Sequence, residues 1–400
     1  MTFAAPALTQ AWGIGRAALG VALSAGLVGM ALGSLILAPL GDVIGRRKVV
    51  LGGLVLMTVG MLLSAFARSL PELAGLRVLT GLGIGIMVAV ITSLAAEFAN
   101  ARQRAFAVSA MAVGYPIGGV LGGFAAAALL RSQGWPSIFL AGAAVGLVLL
   151  LATAVWLPES PAFLITRQGP KSLPRFNALL RRFGHPPIEA LPPAPERLRS
   201  PLSALFAPAA LANTLSITAV NLLFVMAVYY VLSWLPQMVA DAGFPPSAAS
   251  QVSAVANLAG VVGGVLLGLA ARRAGAPRLA AGAMLGLAAA TAAFGYAPAS
   301  LPLLMLAAGV CGFFLFVGIA GLYSTLAVVF APEARTSGAG FVIGVGRAGS
   351  ALAPYLAGVM FAAGLSRGQV SLAFGGLAAL AGVLLVIRTR QGPAEHLPSR

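Results

Sequence analysis

Eight residues, Gly41-Asp42-Val43-Ile44-Gly45-Arg46-Arg47-Lys48, crowd one acid and three cations between two runs, 19–40 and 49–67, that hold no charged residue. Each run approaches the ~20 residues that an α-helix needs to cross the hydrocarbon core of a bilayer. The stretch between them reads as a tight cytoplasmic turn joining two membrane helices. Its glycines permit a sharp bend, and Asp42 either caps a helix start or pairs with arginines of a neighbouring loop.

The rest of the chain repeats this pattern. A 400-residue sequence that is 60% hydrophobic and 8% charged, with a mean hydropathy of +0.98, cannot hide its apolar surface inside a soluble globule. Its Gly and Ala content suits helices that approach closely in lipid, where small residues permit association. The strands and turns of a membrane barrel are absent, so the fold expected is an all-α membrane protein.

A net charge of +16 raises the question of an acidic partner, and the positions of the cations answer it. Arg46, Arg47, Lys48, Arg102, Arg104, the basic residues within 167–199, Arg272, Arg273, Arg278, Arg335, Arg388, Arg390 and Arg400 fall on one side of the alternating spans. Arg16, Arg68, Arg131 and Arg367 fall on the other. This is the positive-inside asymmetry. The charge sets orientation and favours anionic lipid weakly, and nucleic acid is not an expected partner. Cys311 stands alone, which excludes a disulfide or thiolate metal site built from this chain. No cofactor is called for.

At 41–48 the pattern G-D-x-x-G-R-R-K resembles the loop signature that follows the second membrane helix in the major facilitator superfamily. Ala5-Pro6-Ala7-Leu8, Trp12-Gly13-Ile14 and Arg77-x-x-Thr80-Gly81-x-Gly83 are most similar to its aromatic acid:proton symporter branch. Leu157-Pro158-Glu159-Ser160-Pro161 resembles the boundary often found at the end of helix six of the superfamily. The resemblance implies a two-bundle fold of twelve helices, transport of an organic anion by alternating access, and a gating role for Gly41, Asp42, Gly45, Arg46 and Arg47. It also implies a multi-pass monomer of the inner (cytoplasmic) membrane.

Eleven spans are legible, five before residue 158 and six after 206. The expected division is an N-terminal bundle at 1–157, a Pro- and Arg-rich cytoplasmic linker at 158–206, a C-terminal bundle at 207–390 and a cytoplasmic tail at 391–400. An internal repeat supports two bundles. Gly41 to Lys48 recurs in degraded form at 271–278, Arg104 recurs as Arg335, and the two offsets agree within one residue. Residues 1–8 are apolar and too short to span, and 9–16 read as a polar turn, so a twelfth helix is expected upstream of Met1. In the resembled branch that helix carries an acidic motif.

Two charges lie inside spans, where a charged side chain costs ~3 kcal/mol or more. Arg347 is about a dozen residues into its helix, ~15–18 Å from the cytoplasmic end at 1.5 Å per residue. It sits in Gly344-x-Gly346-Arg347-x-Gly349, similar to a helix-eleven pattern of the superfamily. Its guanidinium cannot discharge its proton and suits bidentate capture of a carboxylate. The alternative is that it caps carbonyls or pairs with a neighbouring carboxylate.

Arg77 is a coupling candidate, because related proton-coupled carriers tie this position to proton transfer; the alternative is that it snorkels to the outer interface. Tyr230, Trp234 and Gln237 share a helix face at i, i+4 and i+7, beside Pro236, which would bend or end the helix. Tyr115, Asn221, Asn257 and Tyr323 complete the candidate substrate-binding set; Trp and Tyr near helix ends also serve as interface anchors. The acids all fall in loops or at helix ends, which leaves no usual proton carrier at the midplane. A drug or metabolite efflux antiporter and an inactive truncated carrier remain alternatives. A membrane enzyme lacks the His, Asp or Glu it would need within the spans.

Overall fold

The computed structural model describes residues 1–100, 103–193, 205–330 and 335–390. The 391–400 tail, residues 194–204 of the linker, Arg102 and Glu333 lie outside the described residues. Among the described residues, eleven helices are long and apolar enough to cross a membrane. The protein is therefore an all-α, multi-pass membrane protein, and its helices fall close to the spans expected from composition.

In chain order, α1 (Ala5–Trp12) and α2 (Arg16–Leu32) lead through a π turn and a 3-10 turn into α3 (Gly41–Ile44) and α4 (Arg46–Ser64). Helices α5 (Leu70–Phe98), α6 (Arg104–Ser132) and α7 (Pro136–Trp156) follow. Two short helices, α8 (Pro161–Arg167) and α9 (Ser172–Arg182), occupy the segment expected to be a linker. Then come α10 (Pro208–Asp241), α11 (Pro246–Ala274), α12 (Ala276–Tyr296), α13 (Leu301–Val329), α14 (Arg335–Ala362) and α15 (Arg367–Arg390).

Two expectations are corrected locally. Residues 9–12 are helical rather than a turn, and the break is confined to residues 13–15, opening at Gly13, where φ is +61°. Helix α10 continues through Pro236 to Asp241. A proline forfeits one backbone hydrogen bond, and the packing of a long apolar helix outweighs that loss.

Two compact units emerge, Met1–Ser24 with Tyr115–Ile138 and Ser200–Arg400, and Ala25–Gly114 with Phe139–Arg199. This differs from the division at residue 158. Helix α2 starts in the first unit because Gly20 packs against the backbone of Pro354 and Gly358 on α14. The later part of α6 joins it because Gly119 and Gly123 lie against Asn257 and Ala254 on α11. At each glycine a Cβ would sit under 3.0 Å from its neighbour, so the absence of a side chain permits the contact.

The first unit has a dense interior in which Phe224, Tyr230, Trp234 and Phe294 are buried. Large apolar residues such as Leu121 and Val265 are exposed, as expected of helices whose outer faces meet lipid. In the second unit, Gly29 on α2 and Gly33 at the start of the π turn interleave with Gly81 and Gly85 on α5, each so close to the opposite backbone that a Cβ would clash. That seam fixes α5, and with it Arg77.

Candidate functional site

Within the first unit, α10, α13 and α14 enclose a cavity at the depth of Arg347. About 60 Å³ of it admits the centre of a water molecule, inside some 450 Å³ of empty space that includes the mouth. Its polar groups are Asn221, Tyr229, Tyr323, Arg347 and Ser350, set among Phe224, Ile319, Leu322 and Ile343. A few convergent polar groups in an apolar wall are the usual make-up of a small-molecule site.

Arg347 lies twelve residues into α14 and is partly buried, and Ser350 turns its hydroxyl back to the Arg347 carbonyl at 2.7 Å. The phenols of Tyr115 and Tyr229 each lie within electrostatic reach of Arg347 and of Tyr323. Tyr115 also leans on Phe316, with ring centroids 6.3 Å apart. A fixed cation ringed by phenols and apolar walls can hold a flat carboxylate, its charge on the guanidinium and its ring on the aromatic surface.

The other predicted side chains are placed elsewhere. Tyr230 is fully buried, stacked on Phe374 at 4.4 Å, with its hydroxyl 2.8 Å from that of Ser371. Trp234 donates its indole N–H to the Pro354 carbonyl at 3.0 Å and packs on Phe361. Both knit α10 to its neighbours and neither lines the cavity. Asn257 donates to the Ser253 carbonyl on its own helix and faces Gly119. The cavity takes Tyr229, one position before Tyr230 and about 100° around the helix. The i, i+3, i+4, i+7, i+8 spacing of Asn221, Phe224, Val225, Val228 and Tyr229 is the signal that identifies this face.

In the second unit, Arg77 is 5% exposed, so it does not snorkel to the interface. It donates to the Gly60 carbonyl at 3.2 Å, to Thr80 Oγ1 at 3.0 Å and to Ser64 Oγ, and lies over the Phe139 ring at 4.9 Å. Among the described residues it makes no ion pair, and its Nε has no hydrogen-bond partner.

The 41–48 turn is held from behind rather than by Asp42. Gly45 has φ +105°, and a Cβ there would come within 2.5 Å of Glu159 Oε2. Glu159 caps α4 by accepting from the Arg47 backbone N–H at 3.1 Å, and Arg47 Nη2 donates to the Ala154 carbonyl at 2.6 Å. Arg46 pairs with Glu97 near the end of α5, and the Ser160 hydroxyl bonds the same carboxylate. Among the described residues Asp42 pairs only with Arg46 of its own turn, at 3.4 Å, with its side chain 64% exposed. Among the described residues it neither caps a helix nor reaches a neighbouring loop.

The family model of the Major Facilitator Superfamily matches residues 1–300, and this chain belongs to that superfamily of transporters. It is 31% identical to a gallate transporter of Pseudomonas putida, covering 100% of this chain and 90% of the relative. It is 32% identical to the 4-hydroxybenzoate transporter PcaK of the same organism, covering 97% and 88%. A crystal structure of a D-xylose-proton symporter shares the fold, with a TM-score of 0.72 and 18% identity over 96% of this chain and 92% of the other.

Proposed function

We propose that this protein is a secondary active transporter of aromatic carboxylates that works by alternating access and couples to protons. The observation that carries the reading is Arg347, a fixed cation at mid-helix whose cavity is walled by phenols and apolar side chains. Charged hydrogen bonds to a carboxylate contribute about 1.5–3 kcal/mol each. The relatives named for gallate and 4-hydroxybenzoate transport point to the same ligand class. Arg347, Asn221, Tyr229 and Tyr323 bind substrate, with Tyr115 beside them; the Gly41–Arg47 turn gates, and Arg77 takes part in proton coupling.

The protein acts as a monomer in the inner membrane with its C-terminus in the cytoplasm. Its excess cations face cytoplasmic-leaflet lipid rather than nucleic acid.

The test is uptake of labelled 4-hydroxybenzoate by proteoliposomes with a more acidic exterior, read against protein-free vesicles because the neutral acid also permeates. Accumulation above that background, collapsed by a protonophore and competed by other aromatic acids but not by xylose, is the expected result. Counterflow that persists while the gradient has no effect would remove proton coupling. No protein-dependent flux of any aromatic acid would remove the whole reading.

A further inference from the structure

Asn221 is 1% exposed, and its Nδ2 donates to the Val342 carbonyl at 2.8 Å. A carbonyl can only accept, so the amide nitrogen must face it. The Oδ1 is then left buried without a hydrogen-bond partner, in a side chain that lines the Arg347 cavity. Its placement is enforced from the opposite helix, since a Cβ at Gly346 would come within 2.2 Å of the Asn221 Nδ2. The residue preceding Arg347 is thus kept bare so that an amide can sit at the level of the guanidinium.

We infer that Asn221 Oδ1 is a specificity-determining acceptor that takes a hydrogen bond from a hydroxyl on the ligand. The site therefore selects hydroxylated aromatic acids over unsubstituted ones. This rests on the aromatic-carboxylate reading of the same cavity. The oxygen has no partner and almost no contact with solvent, so a ligand that packs against it must bring a donor or leave a buried acceptor unsatisfied. Arg347 and the Asn221 oxygen ask for opposite features, an anionic acceptor on one part of the ligand and a donor on another.

The experiment measures competition against labelled hydroxybenzoate uptake by benzoate, the three monohydroxybenzoates and their methoxy counterparts. A methoxy group resembles the hydroxyl in position but cannot donate. In the wild-type chain at least one hydroxybenzoate should compete about tenfold or more better than both benzoate and its own methoxy analogue. In Asn221→Leu, and independently in Gly346→Ala, where the added methyl displaces the amide, that preference should shrink to about threefold or less.

A wild-type chain that ranks benzoate equal to every hydroxybenzoate overturns the inference, even if neither variant reaches the membrane. So does an unchanged preference in an abundant Asn221→Leu. In both cases aromatic acids still bind, which separates this failure from that of the transport reading, where none of them competes.

Discussion

At the scale of the residue, Arg347 carries the proposed contact with the substrate carboxylate. Replacing it by Lys keeps the charge and removes the planar fork, so affinity for an aromatic carboxylate should fall about tenfold. Replacement by Ala removes both and should cost about a hundredfold or more. Binding or counterflow at matched membrane abundance reads this, and unchanged affinity in both variants would leave Arg347 a structural residue. Its depth was legible because a lone charge in an apolar run is conspicuous. The aromatic wall was not: Tyr230 and Trp234 share a face, but helical spacing does not say whether a face meets a cavity or another helix. In lipid a buried hydroxyl or indole must still find a partner, and Ser371 and the Pro354 carbonyl supply partners far away in sequence. Asn221 was legible as a polar residue, but its unpaired oxygen depends on Val342 and Gly346 and could not be read from one helix.

At the scale of elements, the 41–48 turn shows how a short motif is held by others. The exposed Asp42–Arg46 pair is of the i, i+4 kind and contributes ~0.3–0.5 kcal/mol. The Arg46–Glu97 pair is less exposed, at 18% and 17%, and shares its carboxylate with Ser160, so breaking it should cost about 2 kcal/mol or more. Asp42→Asn should therefore leave the melting temperature of purified protein within about 1–2 °C, while Glu97→Gln lowers it by several degrees. If Asp42→Asn also lowers transport at unchanged abundance, the acid acts in the transport cycle. A large loss of thermal stability in Asp42→Asn would show that the turn is held from its own side after all. The motif marked the turn in sequence, whereas Glu97 and Glu159 are joined to it only by the fold.

For the whole molecule, the distribution of cations makes an orientation testable. Arg131 and Arg367 are isolated on their side of the spans, whereas Arg167, Lys171, Arg175, Arg181 and Arg182 cluster around α8 and α9. The positive-inside rule places the cluster in the cytoplasm and the isolated arginines outside. Six of the candidate spans, α7 and α10 to α14, lie between Gln133 and Ala363, so these two exposed positions must share a side. One span, α7, separates Gln133 from the exposed Ala178 on α9. Cys311 is 1% exposed and gives a silent background, which lets single cysteines be introduced without removing it. A membrane-impermeant maleimide should label Gln133→Cys and Ala363→Cys in intact spheroplasts, and Ala178→Cys only after permeabilisation. Labelling of Gln133→Cys and Ala363→Cys on opposite sides would overturn the span count. Exchange of all three would keep the count and reverse the orientation, putting the Arg46–Glu97 cluster on the outer face and contradicting the charge rule on which the orientation is assigned.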